Sequence, residues 1–204
     1  MEEYDEQQVL ECAWKFLRCN TMGTLRFGEH LHDVSYVIGN DGAMIIPAMV
    51  AMLQPQDIVM YVPEYAEDCI EMHVTLEQFS EQGDGGVYAD RWQMYHGEPP
   101  DVQWAKVTID AARFHEMFID GEGLQRENEI ASDEPTLCKQ LNGDVAEVIR
   151  ACTRIAHVEV EAPVVVGVDT LGVDVRARFG IVRLASEAPL ENTADVIAFM
   201  QHTP

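Results

Sequence analysis

Residues 70–77 alternate without interruption: Ile70, Met72, Val74 and Leu76 interleave with Glu71, His73, Thr75 and Glu77. Successive side chains of a strand point to opposite faces, so this run has one buried and one wet face, as in an antiparallel sheet. The neighbouring segments obey the same period. Residues 34–38 and 43–49 flank Asn40, Asp41 and Gly42, and an Asp-Gly pair supplies the positive φ angles of a tight hairpin turn. Residues 57–62 form another apolar run between Pro55 and Pro63. Residues 88–96 and 102–118 read as further strands, making about six at short spacing, which predicts a small antiparallel barrel. Ahead of them, Val9, Leu10, Ala13, Trp14, Phe16 and Leu17 recur at helical spacing, which predicts an amphipathic helix over residues 5–18.

The last third of the chain has a different rhythm. Leu137, Leu141, Val145, Val148, Ile149, Cys152 and Ile155 repeat at helical spacing, with Asn142, Gly143 and Asp144 breaking and re-capping the run. Strands are expected at 163–168, 173–179 and 181–184. In the second of these, Val173, Val175, Ala177 and Phe179 are expected inward and Asp174, Arg176 and Arg178 outward. Asn192 or Thr193 then caps a closing helix. The fold class expected is α+β: an antiparallel split barrel with an N-terminal helix over residues 1–120, a linker over 121–134, and a small α+β domain over 135–204.

Charge divides the chain at the same place. Residues 1–134 hold 27 acids and 7 bases, residues 135–204 hold 9 and 6, and the net formal charge is −23. A field of that sign repels phosphate backbones and anionic lipid surfaces, so neither nucleic acid nor a membrane is expected as a partner. No run approaches the roughly 20 apolar residues that span a bilayer. The start, MEEYDEQQ, is acidic where a signal peptide is basic and then apolar. A cytoplasmic protein is expected. The five cysteines, Cys12, Cys19, Cys69, Cys138 and Cys152, are scattered and odd in number, unlike a disulfide framework. Cys12, Cys138 and Cys152 fall in apolar helical patterns and are expected to pack as small hydrophobes.

Leu141, Asn142, Gly143 and Asp144 at a helix start, the run Gly167-Val168-Asp169-Thr170-Leu171-Gly172-Val173-Asp174-Val175-Arg176, then Val182-Arg183-Leu184 and a closing helix resemble the small C-terminal domain of haem-utilisation split barrels. The helix and strands before them resemble the barrel of pyridoxamine-phosphate-oxidase-like flavoproteins. The resemblance spans residues 10–202 and implies a homodimer with cofactor sites at the dimer interface. In that family, FMN is held by Arg, Lys, Ser and Thr on the third and fourth strands and the turn between them. The loop matched to that turn, residues 63–71, carries Glu64, Glu67, Asp68 and Glu71 and no base. A phosphate dianion needs charged donors, so phosphate-anchored FMN is disfavoured. Haem-degrading relatives carry His where this chain has Val145. Haem needs an axial ligand and a basic partner for its propionates, and it stays open as a cofactor.

Arg91, Trp92, Tyr95 and His96 combine a cation, two flat rings and a titratable ring, and with Lys106 and Arg113 they are the expected cofactor-binding residues. The other reading of that segment is a strand whose rings fill core and interface. His30 and His32, two apart beside Glu29 and Asp33, form the most metal-like run, but with no third placed ligand they read as an exposed turn and no metal is expected. Arg176, Arg178 and Arg183 could receive an anion or pair with the acidic barrel, and pairing is expected. Asn142 and Asp144 are expected to cap a helix, and Asp169 and Gly172 to shape a turn. No serine elbow, P-loop, dinucleotide glycine pattern or HExxH is present, and no catalytic residue is assigned. The expected function is a small-ligand-binding or regulatory homodimer, the alternative an FMN- or haem-dependent oxidoreductase.

Overall fold

The computed structural model describes residues 5–99 and 102–201; residues 1–4, half of the acidic start, lie outside them. The chain forms two compact units, Met1–Glu127 and Asn128–Pro204.

The first unit opens with α1 (Glu6–Arg18), whose first turn is fixed by a reciprocal cap: Asp5 accepts from the Gln8 N–H, and Gln8 returns a bond to the Asp5 N–H. Its buried face, Val9, Ala13 and Leu17, enters the core. The strands follow as β1 (Met22–Phe27), β2 (His30–Ser35), β3 (Val37–Ile38), β4 (Met44–Ala48), β5 (Ile58–Val62), β6 (Ile70–Phe79), β7 (Gln103–Phe114) and β8 (Met117–Asp120). They form one curled antiparallel sheet in the order β2-β1-β5-β6-β7-β4-β3, with β8 pairing β7 off that path. This is the split-barrel architecture that the resemblance implied.

The two outermost strands, β2 and β3, are separated only by Tyr36. They are two halves of one bent strand, so the half-barrel is joined to itself through that residue. Tyr36 is fully buried, its N–H donates to the Thr21 carbonyl, and its hydroxyl donates to the Leu17 carbonyl at 2.8 Å. The inward faces contribute Leu25, Phe27, Met44, Ile46, Met60, Met72, Val107 and Ile109 to one apolar core. Each such side chain contributes about 1.5–3 kcal/mol by leaving water. Met49, in the turn after β4, is exposed.

Residues 86–96 are the main correction to the expected elements. They form α2 (Gly86–His96), not a strand. Ala89, Trp92 and Tyr95 recur every three residues and are its buried positions, a helical spacing hidden by the strand-prone residue types. A second correction concerns Cys12, which is exposed on α1. Gly121 opens a short 3₁₀ turn after β8, where a Cβ would collide with the Ile109 carbonyl oxygen.

The second unit contains α3 (Glu134–Leu141), α4 (Val145–Ala151), β9 (Val164–Asp169), β10 (Gly172–Ala177), β11 (Gly180–Ala185) and α5 (Thr193–Gln201), the strands pairing antiparallel as β11-β10-β9. Asp144 caps α4 by accepting from the Glu147 N–H, and Asn192 accepts from the Ala194 and Asp195 N–H groups at the head of α5. Asn142 takes the C-terminal cap position of α3, and its side chain adds a second role: its amide accepts from the Val165 N–H at 2.8 Å and donates to the Val165 carbonyl at 2.9 Å. Nearby, Glu134 accepts from the Val168 N–H and Asn128 donates to the Val168 carbonyl. The expected facing of β10 also needs correction. Asp174 is buried because the register sets it opposite Arg183, whose guanidinium donates to both Asp174 and Asp169. Phe179 lies beyond the end of β10 and is 65% exposed. Arg183 thus pairs with carboxylates of its own unit, as does Arg178 with Glu161. Asp169 shapes the β9–β10 turn as expected, accepting from the Leu171 N–H.

Candidate functional site

α2 packs against the corner of the sheet, and its polar side chains are spent there. The Trp92 indole donates to the Ser35 carbonyl at 3.0 Å, Arg91 Nε to the Ile38 carbonyl at 2.9 Å, and His96 Nε2 lies 3.1 Å from the Tyr36 carbonyl. Facing a carbonyl, that imidazole nitrogen is the donor. Burial holds the His96 pKa below the ordinary value, against the opposing pull of the Tyr36 hydrogen bond, so the ring is neutral near pH 7. The Arg91 guanidinium also lies 5.6 Å from the Tyr95 ring centroid. Lys106, on β7, sits 3.8 Å from the Tyr88 ring centroid and 3.9 Å from the Asp41 carboxylate. Five of the six residues expected to bind a cofactor therefore cluster around α2 and the strands beneath it. There they satisfy backbone carbonyls, rings and a carboxylate of the protein itself.

Arg113 lies elsewhere. It sits near the far end of β7, beside a cleft of about 880 Å³. Arg26, Tyr61, Tyr65, Glu67, Asp68, Cys69, Glu71, Phe114, His115 and Glu116 complete most of its lining. The cleft follows from strand register. Tyr61 of β5 pairs with Glu71 of β6, and Glu71 with Arg113 of β7, so the three side chains share one face of the sheet. Acidic residues 63–71 connect β5 to β6 along one wall. The β7–β8 turn supplies another, with His115 at φ 47° and Glu116 at φ 64°, a left-handed pair matching the twist of a tight hairpin at some backbone cost.

The charges of the cleft are partly neutralised within it. Arg113 donates to Glu71 at 2.9 Å and lies 3.7 Å from Glu116. Arg26 lies 6.0 Å from the Tyr61 ring centroid and beside its hydroxyl. Burial raises the Tyr61 pKa, with Glu71 and Tyr65 adding to it and Arg26 opposing, so the phenol stays protonated in neutral solution. Tyr65 meets Tyr61 edge to face at 4.7 Å.

A phosphate dianion does not fit this donor set. Both arginines of the cleft already face partners of the protein, and the connecting loop adds carboxylates alone. The other inter-strand turn, residues 49–57 between β4 and β5, also carries no base. His30 and His32 lie on β2 and are exposed; among the described residues no three His, Cys, Asp or Glu side chains are grouped to hold a metal ion.

The sequence reading placed Arg113 on the list but missed its neighbours Arg26, Tyr61, Tyr65 and His115. Alternation gives the wet face of each strand, and that signal puts Glu71 outward. Which outward residues of neighbouring strands meet depends on register, which no local pattern encodes.

No protein-family model and no curated protein matches the chain. Solved structures do. A protein of unknown function from Agrobacterium tumefaciens matches over 94% of this chain and 93% of its own, with a TM-score of 0.74 at 12% identity. ChuZ of Campylobacter jejuni matches over 61% of this chain and 64% of its own, at 13% identity and a TM-score of 0.48. A protein from Corynebacterium glutamicum named for pyridoxamine 5'-phosphate oxidase matches over 53% of this chain and 91% of its own, at 16% identity and a TM-score of 0.38. At 12% identity the likeness to the Agrobacterium protein is one of fold.

Proposed function

We propose that this protein binds a small neutral or cationic molecule in the cleft between the β5–β6 loop and the β7–β8 turn, as a cytoplasmic homodimer, and that it does not hold FMN through its phosphate. One observation carries the reading: a cleft of about 880 Å³ has tyrosine rings in its wall, while its arginines are engaged by Glu71, Glu116 and Tyr61. Tyrosine rings set among charged side chains give a small molecule a flat contact and orienting groups, and an anion would have to displace carboxylates from Arg113. A flavin- or haem-dependent oxidoreductase is the second reading, and the observation on its side is His115, an imidazole lining a cleft of this size.

The test is a ligand-observed NMR screen of small metabolites, repeated on Tyr65→Ala, with visible absorption spectra and gel filtration of protein mixed with equimolar FMN or haem. Tyr65 is 66% exposed, so its loss leaves the fold intact. Neutral or cationic hits that weaken in the variant are expected, with a colourless protein eluting as a dimer. Co-eluting flavin bands, a Soret band, or hits indifferent to Tyr65→Ala would overturn the proposal.

A further inference from the structure

The cleft holds two kinds of carboxylate. Glu71 and Glu116 share Arg113. Glu67 and Asp68, on the adjoining loop, have no hydrogen bond or ion pair among the described residues, yet both line the cleft with the Tyr61 and Tyr65 rings. Ring faces carry negative potential and attract organic cations, and an uncompensated carboxylate beside them adds to that attraction. Arg26 already sits over the buried Tyr61 ring and Arg113 is turned to Glu71, so the exposed Tyr65 ring and the two loop carboxylates are the groups left open to a cation.

From this we infer that the ligand is an organic ammonium carried on a flat ring, the ring against the exposed Tyr65 and the ammonium toward Glu67 and Asp68. This rests on the reading of the cleft as the ligand site. It narrows neutral or cationic to cationic and assigns the selecting residues. The ring recognises shape and the loop recognises charge, so uncharged analogues keep the first contact and lose the second, and carboxylate analogues meet repulsion.

The experiment compares three probes of one shape: tyramine, 4-propylphenol and 4-hydroxyphenylacetate, which carry an ammonium, a methyl and a carboxylate on similar chains. Each is titrated into the wild type and into Glu67→Gln/Asp68→Asn, following backbone amide shifts of residues 65–71. Both substituted positions are exposed and the changes preserve shape, so the variant keeps the fold, which circular dichroism checks. Tyramine is expected to bind about tenfold tighter than 4-propylphenol, the sum of the contacts its ammonium makes with two exposed carboxylates. The anion is expected to be weakest. The double variant removes the advantage of tyramine and leaves 4-propylphenol unchanged.

Equal binding of tyramine and 4-propylphenol would overturn the cationic assignment while the cleft reading stands. So would an advantage that survives the double variant, or cleft binding by screen hits when all three probes fail. If neither probes nor screen hits shift residues 65–71, the cleft reading itself falls, and this inference with it.

Discussion

His96 shows how a residue type that suggests chemistry is used for construction. Its ring lies 4.8 Å from the Trp92 ring, and its Nε2 serves the Tyr36 carbonyl where the backbone turns between β2 and β3. A carbonyl left without a donor at such a buried corner would cost about 1–3 kcal/mol. Burial lowers the His96 pKa from the ordinary 6.5. Below pH 6.5 the unfolded chain takes up a proton that the folded ring refuses until lower pH, so stability is full above that value and declines beneath it. His96→Gln keeps a donor and does not titrate. The wild type is expected to lose more of its urea midpoint than His96→Gln between roughly pH 7.5 and 5.5. Parallel losses would show that His96 is as free to protonate in the folded protein as in the unfolded chain.

At the scale of elements, Asn142 does the work of a missing strand. Its amide offers one acceptor and one donor, the pair that a neighbouring backbone would present to Val165. Asn142→Ala is expected to cost about 1–3 kcal/mol in urea denaturation, the penalty for two unsatisfied backbone groups, whereas a change at the exposed Arg178 is expected to cost under about 0.5 kcal/mol. Elements with a strong period were legible from the sequence. The alternation at Ile70, Met72 and Val74 placed β6, and the helical run broken at Gly143 placed α3 and α4. α2 was not, because valine, tyrosine and tryptophan favour strands locally and only packing over the sheet selects the helix. The cleft was legible in part: the acidic loop stood out, but Arg26, Tyr61 and Arg113 arrive from β1, β5 and β7 through register.

The whole molecule is two cores on one chain, with most of the negative charge carried by the first. Composition and period together implied this α+β class, since burying a period-2 surface requires a curled sheet and the later helical run requires its own apolar partner. No local signal said how the curl is finished. The chain finishes it by spending a single strand on both ends of the sheet, Tyr36 being the hinge between the halves. A circular permutant with its new termini at Tyr36 would cut that ring. β2 and β3, already the two ends of the sheet, would lose the chain link that holds them together, and their outer edges would open to strands of other molecules. Such a permutant is expected to be less stable and to self-associate in light scattering, where one cut in the turn at residues 80–83 stays monodisperse. One buried tyrosine thereby separates a sheet that ends in itself from a sheet that can grow.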